Sequence, residues 1–263
     1  MRLKERLNYL KLKALLNKFS GLDWLKKNQS CLLCEDSAQH TRGWIFCALC
    51  LADLPWFHLH EACIQCGLPL QLPDSAQQCG ACLNAPPFFD KTISVFHYQR
   101  PIRQMLSQYK YQGKLDYVPT FADMLAFKIR ASYQKSRGAL PDLILSVPLS
   151  EARLKQRGFN QSLELAKVVS RVLGVPYHVS VVKRLRDTPM QAGLTLKKRR
   201  ANIEGAFALM GPHFIARYVK NKRLAIIDDV MTTGFTLAAL AKLLKEAGAK
   251  SVDNWVLART PAH

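Results

Sequence analysis

Four Cys-x-x-Cys pairs constrain this chain more than any other feature of its sequence. The pairs read CLLC, CALC, CIQC and CGAC, and twelve residues separate each pair from the next. A Cys-x-x-Cys turn points two thiolates at one point about 2.3 Å from a metal ion, and two such turns complete a tetrahedral zinc shell. The pairs contain all eight cysteines of the chain: Cys31, Cys34, Cys47, Cys50, Cys63, Cys66, Cys79 and Cys82.

These pairs predict two structural Zn²⁺ sites. A disulfide framework and a single redox pair are the alternatives, and the regular spacing without a secretory signal favours zinc. Consecutive pairing would place the first two turns on one ion and the last two on the other, whereas cross-braced pairing would join the first turn to the third. The spacing leaves both arrangements open, and we favour consecutive pairing.

The sequence APPFFD at 85–90 marks a change of pattern, because prolines interrupt the chain where the cysteines stop. We predict a zinc-binding module over 31–86 and a second domain over 87–263. A basic amphipathic extension at 1–30 precedes them. Its leucines recur at helical spacing, which predicts a helix that packs on the protein or, alternatively, contacts a membrane surface or DNA.

The second domain alternates apolar strands with amphipathic helices. Strands are predicted at 92–98, 142–149, 178–185, 224–229 and 251–259, and helices at 101–113, 117–137, 160–174 and 235–249. This alternation predicts an α/β fold, a mostly parallel sheet flanked by helices. Ligands of such sheets bind at the carboxyl ends of the strands.

One strand end carries the sequence IIDDVMTTGFT. The predicted strand ends on Asp228 and Asp229, and the next helix starts near Phe235. The threonines and glycine between them fit a loop that holds a phosphate with backbone N–H groups and a helix N-terminus. The carboxylates would then accept hydrogen bonds from sugar hydroxyls or reach Mg²⁺ through water. Helix capping alone would explain one carboxylate and not two.

Two other segments concentrate basic residues. The stretch 147–161, which we interpret as a strand end followed by a loop, contains Arg153, Lys155 and Arg157, and either anion binding or a solvated loop explains them. The second segment is a longer predicted loop at 183–207, which could close over a ligand or lie along a nucleic acid. Its basic residues are Lys183, Arg184, Arg186, Lys197, Lys198, Arg199 and Arg200.

The charge of the whole chain predicts a polyanionic partner. Lys and Arg number 38 against 19 Asp and Glu, giving a formal net charge of +19. Such an excess attracts nucleic acid, anionic membrane or phosphorylated ligands, and we favour nucleic acid. No apolar run reaches the roughly 18–20 residues of a membrane span, and no signal-peptide core is apparent. We therefore expect a cytoplasmic protein.

These segments, in this order, resemble the type I phosphoribosyltransferase domain, and IIDDVMTTGFT resembles its loop for phosphoribosyl pyrophosphate (PRPP). Over about 31–260 the chain resembles the competence protein F (ComF) family, which includes GntX-type proteins. The shared features are the paired cysteines, RGFNQ at 157–161, TPMQAGLTLKKRRANIEGAF at 188–207 and LARTP at 257–261.

The resemblance implies roles for individual residues. Asp228 and Asp229 would bind the ribose hydroxyls of PRPP with its Mg²⁺, and the loop that follows would hold the 5-phosphate. Arg153 and Arg157 lie where the family has its pyrophosphate loop, and 183–204 corresponds to its mobile loop. The implied PRPP-binding residues are Asp228, Asp229, Val230, Met231, Thr232, Thr233, Gly234, Phe235 and Thr236.

The resemblance also implies a role in natural competence: handling single-stranded DNA in the cytoplasm, at the inner membrane beside a DNA-uptake channel and a helicase. The alternatives are a phosphoribosyltransferase with an unknown acceptor and a PRPP-sensing regulator. The chain begins MRLK, without the N-terminal cysteine nucleophile of glutamine-dependent amidophosphoribosyltransferases. Phe235 stands where the family loop has a small residue. PRPP turnover is therefore not implied, and no catalytic residue is assigned.

Overall fold

The structure, a computed structural model, describes residues 30–36, 44–70, 77–187, 203 and 205–261. Its contacts divide the chain into two compact units, Met1–Leu54 and Pro55–His263. The first unit holds the first four cysteines, and the second holds the last four together with the sheet. The domain limits predicted near residues 30 and 86 stay predictions.

The described part of the first unit is a small structure built on its cysteines. Helix α1 (Ala48–Ala52) begins at Cys47, whose Sγ accepts a hydrogen bond from the Cys50 N–H at 3.4 Å. Trp44 and Phe46 are buried just before this helix. With Ile45, Leu51 and Leu54, they form the apolar interior of the described part of this unit.

The second unit contains a five-stranded parallel sheet in the order β1-β7-β6-β2-β3. This confirms the predicted mostly parallel α/β fold. A separate antiparallel pair joins β4 to β5. The strands are β1 (Lys91–His97), β2 (Leu143–Ser146), β3 (Tyr177–His178), β4 (Val182–Arg184), β5 (Phe207–Leu209), β6 (Arg223–Met231) and β7 (Ser251–Arg259).

The helices of the second unit begin and end at recognisable capping residues. Gly113 and Gly174 adopt the left-handed conformation after two of them, and the Asn160 side chain accepts the first free N–H groups of the helix that Gly174 ends, as predicted. The helices are α2 (Gly80–Asn84), α3 (Ile102–Gln112), α4 (Tyr117–Lys135), α5 (Glu151–Arg157), α6 (Gln161–Leu173), α7 (Pro212–Tyr218) and α8 (Phe235–Glu246), with a 3₁₀ turn at Leu59–Glu61.

Helices cover both faces of the sheet, because successive side chains of a strand point to opposite faces. On β7, Trp255 faces α4, and its ring lies 6.2 Å from that of Tyr133. Val252 and Val256, of the opposite parity, join the buried cluster that includes Leu240 of α8. Both faces are therefore dry, which explains the nearly continuous apolar strands.

The strand order creates a switch point between β2 and β6. From β2 the chain crosses to β3 on one side, whereas from β6 it crosses through α8 to β7 on the other. At such a point the two connections diverge and leave a crevice at the carboxyl ends of the strands. The acidic pair and the segment after β2 both lie at this end.

Three local predictions were incomplete. The segment after β2 is not a loop throughout, because Ser150 caps helix α5 by accepting the Arg153 N–H, and Gly158 ends it. Strand β6 continues past Asp229 to Met231. The predicted strand at 178–185 is two short strands that belong to different sheets. Within the described ranges, no helix combines the length and apolar character that a membrane crossing requires.

Candidate metal centres and phosphoribosyl site

The eight cysteines form two clusters of four, each made by consecutive Cys-x-x-Cys turns. Cys31, Cys34, Cys47 and Cys50 form the first cluster, and Cys63, Cys66, Cys79 and Cys82 form the second. This is the consecutive pairing that we favoured. All eight are free thiols.

Both clusters fit a tetrahedral metal ion. Within each cluster the four Sγ atoms lie within 4.8 Å of one another. The Sγ atoms of Cys34 and Cys47 are 3.7 Å apart, and those of Cys66 and Cys79 are 3.6 Å apart. A tetrahedron with bonds of about 2.3 Å has edges of about 3.8 Å. The donor set and its dimensions therefore suit a Zn²⁺ ion held by four thiolates.

Each cluster contains one thiol that ionises readily. Burial raises the pKa of Cys31, but hydrogen bonds from backbone N–H groups, led by that of Cys47, outweigh it and bring the pKa to about 6. The same balance brings the pKa of Cys63 to about 7. Burial instead raises the pKa of Cys66 to about 11 and also raises that of Cys82. A metal ion favours the thiolate form of all four ligands, so its binding would release protons.

The acidic pair lies near the end of β6 with both carboxylates engaged. Asp228 accepts a hydrogen bond from the Ser162 hydroxyl at 2.9 Å and another from the Asp229 N–H at 2.9 Å. Asp229 is buried, and its carboxylate lies 3.0 Å from the Lys110 Nζ. Ser162 belongs to α6 and Lys110 to α3, so two helices position the pair.

Lys110 balances the charge of the two carboxylates. Burial lowers its pKa, but the charges of Asp229 and then Asp228 outweigh burial and hold the pKa above its usual value. Burial and the charge of Asp229 raise the pKa of Asp228 to about 7, with Lys110 opposing them. At neutral pH this site thus holds the Lys110 cation and, on Asp228, a carboxyl group that titrates.

The loop after β6 forms one wall of a small pocket. Gly234 caps α8 with a φ of 79°, a left-handed conformation that favours glycine, and a Cβ there would lie 2.7 Å from the Met231 Cε. Phe235 is the first residue of α8 and lines the pocket. The lining residues are Asp228, Val230, Met231, Thr232, Thr233, Gly234, Phe235, Thr236 and Leu237.

The basic residues predicted after β2 lie on α5. Arg153 Nε is 3.5 Å from Asp187, which also accepts a hydrogen bond from the Ser150 hydroxyl at 2.6 Å. Asp187 therefore connects α5 to the chain beyond β4. Arg157 stacks on the Tyr111 ring at 5.1 Å from its centroid. Both arginines are partly buried.

Arg184 of β4 lies close enough to Arg153, Asp187 and Asp228 for their charges to shift its pKa. Burial and the charge of Arg153 lower its pKa, whereas Asp187 and Asp228 raise it. Of the other basic residues in this stretch, Lys183 and Arg186 are exposed. Four fall outside the described residues: Lys197, Lys198, Arg199 and Arg200.

Residues 160–263 match the family of the phosphoribosyl transferase domain. Competence protein F of Haemophilus influenzae is 34% identical over 232 residues, covering 88% of this chain and 97% of that protein. The chain belongs to the competence protein F family. Other similar proteins are the DNA utilization protein YhgH of Salmonella typhimurium, 34% identical over 82% of this chain and 91% of that one, and the competence protein ComFC of Streptococcus pneumoniae, 30% identical over 63% and 67%.

Three residues at the site of this competence protein F family member carry no signal in the sequence pattern: Lys110, Ser162 and Arg259. Lys110 lies on a helix 119 positions before its partner Asp229, so no local pattern connects them. Ser162 follows the RGFNQ motif in a segment with helical periodicity, which indicates no partner for its hydroxyl. Arg259 lies within the LARTP motif, but its buried contacts with the loop after β6 follow only from the fold.

Proposed function

We propose that this chain binds PRPP with Mg²⁺ at the carboxyl ends of β2 and β6, and that it handles single-stranded DNA in natural competence. The observation that carries the PRPP site is the placement of Asp228 and Asp229, followed by a threonine-rich turn into α8, at the switch point of the sheet. Zn²⁺ in the two cysteine clusters would serve structure, since four thiolates leave no open coordination position.

Each part of the site has a chemical task. The Asp228 carboxylate lines the pocket, is fixed by Ser162 and accepts hydrogen bonds from ribose hydroxyls. Asp229, buried against Lys110, contributes its charge beside Asp228. Loop N–H groups and the α8 N-terminus suit the 5-phosphate. Mg²⁺ bound with PRPP supplies positive charge to its pyrophosphate oxygens. Lys110 neutralises Asp229 before the ligand arrives, which lowers the cost of burying two adjacent carboxylates.

The DNA role rests on charge, on a stacking surface and on the names of the relatives. The chain carries a formal net charge of +19, and relatives are named for competence and DNA utilization. Tyr111, 62% exposed, stacks against Arg157. An exposed ring beside a guanidinium suits bases and phosphates of a single strand. We place this activity in the cytoplasm at the inner membrane, next to a DNA-uptake channel and a helicase.

Transfer of the phosphoribosyl group to an acceptor is the second candidate. Arg153 and Arg184 lie within electrostatic reach of each other, and Asp228 acts on Arg184. Cations at this position would stabilise pyrophosphate as it leaves with the electron pair of its bond to the sugar. The acceptor would form the new bond at the same carbon.

A thermal melt tests the PRPP site. PRPP–Mg²⁺ should raise the melting temperature of the wild-type chain and leave the Asp228→Ala/Asp229→Ala variant unshifted. Zinc content should be equal in both proteins, because neither cluster includes these residues. Equal stabilisation of the double variant would show that the site is elsewhere.

Two assays test the DNA role and turnover. Affinity for a single-stranded oligonucleotide should fall steeply as salt rises, because lysines and arginines displace condensed counterions. Salt-independent or absent binding would contradict the DNA role.

Pyrophosphate release from PRPP–Mg²⁺, measured with and without the oligonucleotide, decides between binding of PRPP alone and transfer of its phosphoribosyl group.

A further inference from the structure

We propose that Arg259 is a positioning residue that couples the second cysteine cluster to the phosphate loop, so that the metal-loaded cluster holds the loop in its ligand-binding shape. The phosphate loop is here residues 231–236. The inference rests on the proposed PRPP site for its ligand.

Arg259 bridges the two structures directly. It ends β7 and is 3% exposed. Its Nε donates a hydrogen bond to the carbonyl oxygen of Cys66 at 2.8 Å. Its Nη1 lies within hydrogen-bond distance of the carbonyl oxygens of Met231 (3.2 Å) and Thr232. One rigid guanidinium therefore touches a metal-ligating turn on one side and the start of the phosphate loop on the other.

The cluster side of this bridge is fixed by a second strand. The Thr92 hydroxyl of β1 donates to the carbonyl oxygen of Gln65 at 2.5 Å, and the Thr92 N–H donates to that of Ile64 at 2.9 Å. Gly67 follows with a φ of 69°, and a Cβ there would lie 3.7 Å from the Arg259 Cδ. The turn that carries Cys63 and Cys66 is thus docked on β1 and on Arg259 together.

The loop side determines where backbone donors point. In a trans peptide the carbonyl and the following N–H point in opposite directions. Because the carbonyls of Met231 and Thr232 face Arg259, the N–H groups of Thr232 and Thr233 point away from it. Thr232 and Thr233 line the pocket. Arg259 thereby orients N–H groups that suit a phosphate.

Charge explains why the metal-loaded cluster matters. The acceptors of the buried Arg259 guanidinium are mainly backbone carbonyls. Arg259 is 3% exposed, and its Nε reaches the carbonyl oxygen of Cys66. Four thiolates around one divalent zinc carry a net negative charge. A loaded second cluster would therefore place negative charge beside the buried cation.

Calorimetric titration of PRPP–Mg²⁺ into the zinc-loaded full chain tests the coupling. Arg259→Gln should weaken binding at least about fivefold. Arg259→Lys keeps the charge but loses the planar fork, and it should also bind more weakly than wild type. The control is Arg223→Gln, which removes a paired arginine from the opposite end of β6 and should leave the affinity unchanged. Equal affinities of Arg259→Gln and wild type would overturn the coupling. Absence of binding by the wild type would instead contradict the PRPP site.

A reciprocal measurement avoids variants of Arg259, should they fail to fold. Coupling between two ligands acts equally on both binding free energies. PRPP–Mg²⁺ should therefore raise the zinc affinity of the second cluster at least about fivefold, measured by equilibrium competition with a colorimetric chelator. A Cys31→Ser chain, in which the first cluster lacks one ligand, isolates the second cluster in this measurement. An unchanged zinc affinity at saturating PRPP–Mg²⁺ would overturn the coupling.

Discussion

The two cysteine clusters share one spacing and one donor set, yet their surroundings differ. In the first cluster, Cys34 is exposed and Cys50 is half-buried. The third residue of its first Cys-x-x-Cys turn is the half-buried Leu33. In the second cluster, three of the four cysteines are buried. The third residue of its first turn is Gln65, which is also buried. The spacing of the cysteines specifies the metal-binding donor set, whereas the neighbouring side chains determine how strongly each cluster is packed into the protein.

Removing one ligand from each cluster should give the largest difference. Cys63→Ser should lower the free energy of unfolding of the α/β unit by more than about 3 kcal/mol, because the second cluster packs into that unit's core. Cys31→Ser should change it by less than about 1 kcal/mol. Urea unfolding followed by circular dichroism measures both. Equal losses would contradict the difference between the clusters.

Gln65 and Leu33, the third residues of the first Cys-x-x-Cys turn in each cluster, give a second contrast. The Gln65 amide donates to the carbonyls of Phe89 at 2.9 Å and Pro87 at 3.1 Å, and its oxygen accepts from Gln78 at 3.0 Å. Gln65→Ala should cost about 2 kcal/mol, because buried acceptors lose their donor. Leu33→Ala, at the matching position, should cost about 1 kcal/mol or less. Matched unfolding curves that show the reverse order would refute this.

Asp228 should make the second unit's stability depend on pH without ligand. Its folded-state pKa of about 7 exceeds the ordinary value of 3.8, mainly through burial. The protonated form is therefore favoured by folding: this stabilisation is complete below about pH 4 and is lost as pH rises through about 7. Asp228→Asn should flatten the slope between these values, by about 2 kcal/mol in all. A wild-type slope retained in Asp228→Asn would exclude this carboxyl as its source.

Metal release should distinguish the two clusters by rate. The exposed Cys34 gives a chelator access to the first cluster, so zinc release should be biphasic and Cys31→Ser should remove the fast phase. A single kinetic phase that accounts for both zinc ions would contradict the predicted difference in release rate between the two clusters.

The fold was predictable wherever local chemistry determines structure. Gly113, Asn160 and Gly174 ended or began helices as their types predict. Apolar runs predicted the parallel strands. Helix α5 was missed because its seven residues contain no buried side chain, so it shows no apolar periodicity.

The candidate site was predictable only in part. The acidic pair and its loop form a contiguous motif, and the cysteine pairs have a regular spacing, so both are visible in the chain. Lys110 and Arg259 act through partners far away in sequence: Asp229 for Lys110, and Cys66 for Arg259. Those contacts depend on which helices and strands become neighbours, which composition and periodicity do not reveal.

Hydrogen exchange of the phosphate loop tests most directly whether the second cluster belongs to the ligand site and the first does not. Cys79→Ser and Cys47→Ser remove the third ligand of each cluster. Amides of residues 232–234 should exchange at least about tenfold faster in Cys79→Ser than in wild type, measured relative to α6 as an internal reference, and at the wild-type rate in Cys47→Ser. Unchanged loop exchange in Cys79→Ser, or an equal increase in both variants, would contradict the claim.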